Sequence, residues 1–356
     1  MNSKNNKFVI SVAAAFLFSL LVLLRGPNFD HDYKTYLDLY IEFNPRISEL
    51  FSGSKEPGYY LLMWFFKTIG ARIDDLLFFV SIICLILRFY SVSMFGYLTL
   101  VIFIPIYGSS FFLIHELNQT RIAVSTAFFY LIAIDLYEFK ETKKIFRRSL
   151  WIAPLFHYSS IVLFYAVIKK KISTLLISSL FIFLIGYIAI SKINFNDVIY
   201  LFSYFSSNDD RAKGYAFEVF NFENDSLRIL NGANIAYLFF AAAVRLILSK
   251  FNIANNRLFL LNELLIIISI MIFYLFRSSP VVAMRLAELF RIFTPLVLAI
   301  VISSLLRKGL FAGAVGCLFG AVSIVLNLIL YGPAIYPINE YILFPLGLSR
   351  NIGGSL

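Results

Sequence analysis

The stretch Phe111-Phe-Leu-Ile-His-Glu-Leu-Asn-Gln-Thr-Arg-Ile-Ala-Val-Ser-Thr-Ala-Phe-Phe-Tyr130 decides how the chain is read. It sets His115, Glu116, Asn118, Gln119 and Arg121 between two apolar runs, Ser91 to Ile114 and Ile122 to Tyr137. Runs of this kind are long enough to cross a bilayer. Ionisable groups held between them are costly unless they face water, a headgroup or a substrate. The side of the membrane that this cluster occupies, and what meets it there, govern both fold and function.

The composition around it is that of a membrane protein. The 356 residues are 60% hydrophobic and only 15% charged, with a mean hydropathy of +0.81. A soluble domain could not hide that much apolar surface. The net charge of +10 does not point to nucleic acid. The basic residues sit in short clusters beside apolar runs, as a positive-inside bias would place them. Cys84 and Cys317 lie inside apolar runs, which leaves no disulfide framework and no zinc pattern. The chain has no GxGxxG, Walker or HExxH motif, so no metal and no cofactor is expected.

The expected fold is all-α. It is a single membrane domain over residues 1–356, a polytopic integral membrane helical bundle of about 9–11 transmembrane helices with re-entrant or interfacial half-helices. Lys4 and Lys7 precede an uncleaved first span, Phe8 to Leu24. Residues 25–56 form an outer loop. Tyr33, Tyr36, Leu37, Tyr40 and Ile41 recur there at helical spacing and predict an amphipathic helix. Pro57 opens a short apolar segment, Tyr59 to Ile69, that carries Lys67 and is expected to be a half-helix. Leu76 to Leu87 is expected to end at Arg88, and Ser91 to Ile114 to return.

Lys140, Lys143, Lys144, Arg147 and Arg148 mark residues 139–148 as cytoplasmic, which turns residues 115–121 outward. Trp151 to Ile168 holds Pro154 and His157. It is read as a single crossing or, preferably, as two half-helices that keep Lys169, Lys170 and Lys171 inside. After a span at Ile172 to Ile190, residues 192–232 form the largest outer loop. Spans follow at Ala233 to Leu248, Leu258 to Phe276, Leu286 to Leu306 and Gly309 to Leu330.

On this topology the outer face collects Arg25, Asp32, Lys55, Glu56, His115, Arg121, Arg285 and Arg291. Arg285, Glu288 and Arg291 recur at three-residue spacing and are expected on one helix face. Arginine recognises phosphate bidentately. A carboxylate beside it could act as general base on a sugar hydroxyl. Each residue also has a plainer reading. Arg121 could snorkel to headgroups, Glu288 could pair with Arg285 or Arg291, and His115 and His157 could serve backbone hydrogen bonding.

Four groups of residues then occur in order: Arg25 with Asp32-Tyr33 and Tyr36; Lys55-Glu56-Pro57-Gly58-Tyr59; Leu117-Asn118-Gln119-Thr120-Arg121 with Ala123; and Leu155-Phe156-His157-Tyr158-Ser159. Together they resemble the EpsG family of Wzy-like polysaccharide polymerases, most closely over roughly residues 20–165. Lys55 stands where that family usually has arginine, and Ile122 where it often has glutamine. The resemblance implies a multi-pass glycosyltransferase of the bacterial inner membrane with its site facing the periplasm. It would polymerise undecaprenyl-pyrophosphate-linked repeat units of O-antigen or exopolysaccharide. Its partners would be the lipid-linked glycan donor and acceptor, the bilayer, a flippase and a chain-length regulator, with no nucleic acid.

On that basis Arg121 and Arg285 are expected to hold pyrophosphate, helped by Arg25, Lys55 or Arg291. Glu56 is the expected base, with Asp32 second. His115 and His157 shape the site or carry protons, and Asn118 and Gln119 orient Arg121 or bind sugar. The alternative is a lipid-linked oligosaccharide flippase or exporter without catalysis. Such proteins usually show repeated halves, and no repeat is visible here.

Overall fold

The computed structural model describes residues 3–24, 31–43, 56–138, 150–158, 160–161, 163, 232–250, 256–275 and 280–331. Arg25, Lys55, the basic runs at 140–148 and 169–171, the span expected at 172–190 and all but the last residue of the loop expected at 192–232 lie outside those residues. The chain divides into two compact units, residues 1–131 with 302–356, and residues 132–301.

Every regular element among the described residues is helical. The first unit contains α1 (Ser3–Leu23), α2 (His31–Glu42), α3 (Pro57–Thr68), α4 (Ile73–Ser93), α5 (Tyr97–Gly108), a π-helical turn (Phe112–Glu116) and α6 (Thr120–Tyr130). In the second are α7 (Ala133–Tyr137), a 3-10 turn (Leu150–Ile152), α8 (Ala153–Phe156), α9 (Gly232–Lys250), α10 (Arg257–Leu275) and α11 (Pro280–Leu289). Helix α12 (Thr294–Leu306) begins in the second unit and ends in the first, which also holds α13 (Leu310–Tyr331).

Among the described residues one helix, α4 with 21 residues, is long and apolar enough to cross a membrane. Shorter apolar helices cover Lys7–Leu23, Tyr97–Gly108, Asn234–Ile247, Thr294–Leu306 and Ala312–Leu328. Helix α1 packs on α4 through Ser11, Ala15 and Ser19, all fully buried and spaced by four residues. Small side chains on one stripe let two helices approach closely. Ser19 Oγ lies 3.4 Å from Ser81 Oγ, and the Phe8 ring meets Tyr90 edge-on at 5.9 Å, so the two helices run antiparallel.

The amphipathic helix expected in the 25–56 segment is present as α2. Tyr33, Tyr36, Tyr40 and Phe43 are buried, whereas Ile41 is 64% exposed. The inward stripe is therefore aromatic, and its partners are α3 and the start of α4. Tyr33 Oη donates to Asp74 Oδ1 at 2.8 Å. Phe43 packs on Tyr60 with ring centres 5.4 Å apart. Tyr40 Oη donates to the Ala71 carbonyl at 2.8 Å. Burial first, and then the Asp75 carboxylate, push the Tyr40 hydroxyl's pKa up, which keeps it a donor.

Lys67 of α3 closes the other end of α2. Its ammonium donates to the carbonyls of Tyr40, Ile41 and Phe43 at 2.7, 2.8 and 2.5 Å. These are the carbonyls that a helix end leaves without partners, at the negative end of its dipole. Lys67→Met keeps the aliphatic stem and loses these bonds. It is expected to cost about 1.5–3 kcal/mol, read as a lower melting temperature in detergent and faster proteolysis around α2.

Three expected spans are divided in the structure. Arg88 does not end a helix, because α4 continues through it to Ser93. The return segment then breaks at Gly96, whose φ of 122° suits only glycine without strain. The run from Ile122 stops at Tyr130, and α7 begins only after a turn. Leu286 to Leu306 is likewise two helices. Pro295 has no N–H and would clash with the preceding turn, so α11 ends at Leu289 and α12 starts at Thr294. Arg285 and Glu288 thus share α11, while Arg291 lies in the turn beyond it.

In the second unit, Asn256 Oδ1 accepts from Leu258 N at 3.0 Å and so caps α10. Its Nδ2 donates to the Tyr137 carbonyl at 2.6 Å, which ties α7 to that cap. Helix α11 packs on α10 with Phe273, Ala283 and Ala287 in a buried cluster.

Candidate functional site

Two segments far apart in sequence meet at one ion pair. Glu56 stands before the first turn of α3 with extended backbone (φ −65°, ψ 128°), and Pro57 takes the first helical position, where a missing N–H costs nothing. The amides of Tyr59 and Tyr60 bond the Glu56 carbonyl. The Glu56 carboxylate does not turn back to cap the helix. Instead Arg121 Nη1 donates to Glu56 Oε2 at 2.6 Å, with the two side chains 20% and 4% exposed respectively. This is a short charge-assisted bond. The Tyr36 ring lies 5.9 Å from the guanidinium carbon and packs on Tyr59 with ring centres 5.6 Å apart. Helices α2, α3 and α6 therefore converge on the pair.

The chain reaches Arg121 through the π-helical turn. Leu117 N bonds Phe112 O at 3.2 Å and Gln119 N bonds Ile114 O at 2.7 Å, each five residues back. Such turns carry one extra residue and occur often at functional sites. Gln119 leaves the turn with φ −106° and ψ 62°, and Thr120 starts α6. Gln119 is 7% exposed and Thr120 1%. Among the described residues, Asn118 Oδ1, Gln119 Oε1 and Thr120 Oγ1 are buried with no hydrogen-bond partner.

A second buried charge pair holds the turn from behind. Arg88 and Glu116 are both fully buried and form an ion pair. Arg88 Nη2 also donates to the Ala123 carbonyl and to Thr126 Oγ1, each at 2.6 Å. Tyr107 Oη donates to Glu116 at 3.0 and 2.8 Å to its two oxygens. The Arg88 guanidinium lies 5.3 Å from the Tyr107 ring centre and 5.8 Å from that of Tyr130. One guanidinium thus connects α4, α5, the π-turn and α6. His115, on the same turn, is buried and meets Phe111 edge-on at 5.0 Å.

The remaining expected residues fall as follows. Asp32 is on α2, with its side chain outside the described residues, as are Arg25 and Lys55 altogether. His157 ends α8 in extended backbone (φ −157°, ψ 109°) and is half-buried in the second unit. That unit also holds Arg285, half-buried on α11, and Arg291, 3% exposed. Arg291 Nε donates to Ser269 Oγ at 2.9 Å and Nη2 to Asn234 Oδ1 at 2.6 Å. Its guanidinium carbon sits 4.1 Å from the Tyr237 ring centre. No cluster of metal-ligating side chains occurs among the described residues.

A family model described as the EpsG family matches residues 8–342. The chain belongs to the EpsG family. No curated protein and no solved structure matches it. Membership in the EpsG family makes it a membrane protein of the polysaccharide-polymerase kind, glycosyltransferase-like in general, and fits lipid-linked glycans as substrates. Sequence reading missed Arg88 and its partner Tyr107, and in the second unit Asn234 and Ser269. For Arg88 a signal was present: the apolar run resumes at once with Phe89 and Tyr90, which an interfacial arginine ending a span would not require.

Proposed function

We propose that this EpsG-family protein polymerises undecaprenyl-pyrophosphate-linked oligosaccharide repeat units at the periplasmic face of the bacterial inner membrane. In this reading it is a Wzy-type enzyme with about 9–11 membrane-crossing helices. The loops at 25–56 and 192–232 lie on the outer side. The observation that carries the reading is the Glu56–Arg121 pair, which joins the Lys55-Glu56-Pro57 and Asn118-Gln119-Thr120-Arg121 motifs at one buried place. Glu56 accepts the proton of the acceptor hydroxyl as that oxygen attacks the anomeric carbon of the donor glycan. The bond from that carbon to the pyrophosphate oxygen breaks, and the pyrophosphate departs on its lipid.

Arginines carry the leaving-group charge. A guanidinium has five N–H donors, and the bond from Nη1 to Glu56 engages one group of Arg121. Arg285 and Arg291, with Arg25 and Lys55, are the other proposed cations. A carboxylate paired with arginine is a weaker base than a bare one. When pyrophosphate draws Arg121 toward itself, Glu56 regains basicity, so base and leaving-group site are loaded together.

Purified protein in detergent, given lipid-linked repeat units, is expected to yield a ladder of polymer. Absence of a ladder from folded protein that binds the substrate would reject the polymerase and favour a flippase. Arg121→Ala is expected to lower the polymerisation rate by about 10²–10³-fold, the usual loss for one electrostatic donor. Arg121→Lys keeps the charge but not the planar fork. Its rate should fall between the two, read from the same ladder.

A further inference from the structure

Gln119 and Thr120 have no part in the ion pair, yet both are more than nine-tenths buried. Among the described residues, neither Gln119 Oε1 nor Thr120 Oγ1 has a partner, and the same holds for Asn118 Oδ1. Buried polar atoms in folded proteins are nearly always satisfied, and each exception asks for a ligand or a water. Three exceptions fall in three consecutive residues, directly before Arg121. The geometry points to this edge as the subsite for the acceptor sugar, a neutral polyhydroxylated ligand rather than a phosphate. This rests on the polymerase reading above and adds which substrate part the edge takes.

The chemistry of the atoms separates the two ligands. A carboxamide oxygen only accepts hydrogen bonds. A phosphate oxygen at neutral pH is also an acceptor, so the two repel. Glu56, held by the adjacent Arg121, is an acceptor as well. Arg121, paired with Glu56 in the structure, follows this edge directly in sequence and is kept for the pyrophosphate. The two carboxamide oxygens suit ligand O–H donors, and the Thr120 hydroxyl, donor and acceptor alike, can bond a sugar hydroxyl either way. A sugar with neighbouring hydroxyls supplies several, one of them the hydroxyl that Glu56 deprotonates.

The test uses the full-length protein in detergent and two probes. One is the lipid-free repeat-unit oligosaccharide released by mild acid from the host strain's surface glycan; the other is inorganic pyrophosphate. The variants are Gln119→Met and Thr120→Val, both close in shape and without the orphaned atoms, with Thr120→Ser as the control that keeps the hydroxyl. Gln119→Met is expected to weaken oligosaccharide binding about tenfold and to leave pyrophosphate binding unchanged. Both apolar variants should melt no lower than the parent, because the atoms removed have no protein partner.

Unchanged oligosaccharide affinity in both variants would overturn the assignment. So would a loss confined to pyrophosphate, or a drop in melting temperature of several degrees. These binding measurements do not need turnover. If the parent protein makes no polymer while Gln119→Met loses sugar binding, the polymerase falls and the sugar subsite stands.

Discussion

Arg88→Ala should leave the protein without a stable first unit. The substitution strands the Glu116 carboxylate in a site that is fully closed to solvent. Removing one partner of a buried pair typically costs about 3–5 kcal/mol, because the other charge remains uncompensated. That is a large part of the roughly 5–15 kcal/mol by which a native domain is stable. The expected readout is loss of the monodisperse peak in size-exclusion chromatography after mild heating. Glu116→Ala should behave alike.

Removing the whole network should be far milder. In Arg88→Met/Glu116→Leu/Tyr107→Phe no buried charge and no stranded hydroxyl remains. Thr126 Oγ1 still has the Ile122 carbonyl at 2.7 Å. Replacing a buried pair by apolar side chains is often neutral for stability. The triple variant should therefore fold and melt near the parent. A triple variant as unstable as Arg88→Ala would show that the network contributes net stability.

Glu56→Gln is expected to reduce polymerisation by about 10²–10⁴-fold, the usual contribution of a general base. The change is isosteric, and it removes both the charge and the capacity to take a proton. Its effect on folding should be small. The carboxamide oxygen that replaces Oε2 can still accept from Arg121 Nη1, so the arginine keeps a hydrogen-bond partner. A large loss of rate with a nearly unchanged melting temperature is the signature to look for in the purified system. Full activity in Glu56→Gln would exclude it as the base and leave Asp32 as the candidate.

What the sequence could and could not disclose follows from the range of the interactions. The aromatic face of α2 was legible because Tyr33, Tyr36 and Tyr40 repeat at helical spacing. The start of α3 was legible because Pro57 fits only a first turn. These are local signals. Glu56 and Arg121 were both singled out, but with separate tasks; that they bond each other depends on α3 and α6 packing together.

Arg88 was misread for the same reason. Its partner lies 28 residues away, and an arginine in an apolar run looks like a terminus until that partner is known. The breaks at Gly96 and before Pro295 had residues to announce them. Long hydrophobic runs on both sides outweighed those signals. The π-turn was not legible, since nothing in Phe112-Leu-Ile-His-Glu116 distinguishes a five-residue from a four-residue hydrogen-bond spacing.

The buried Arg88–Glu116 pair also bears on how the chain is made. Helix α4 leaves the ribosome with a guanidinium in its last third and no counter-charge. An arginine at the centre of an inserting helix costs about 2.5–3.5 kcal/mol. Glu116 emerges 28 residues later, which at about 5–20 residues per second means a delay of a few seconds. During that interval α4 gains by waiting at the translocon or by keeping its C-terminal turn at the headgroups. In the proposed membrane reading, α4 settles only once the segment that carries Glu116 has arrived, so the order of synthesis and the order of insertion need not coincide.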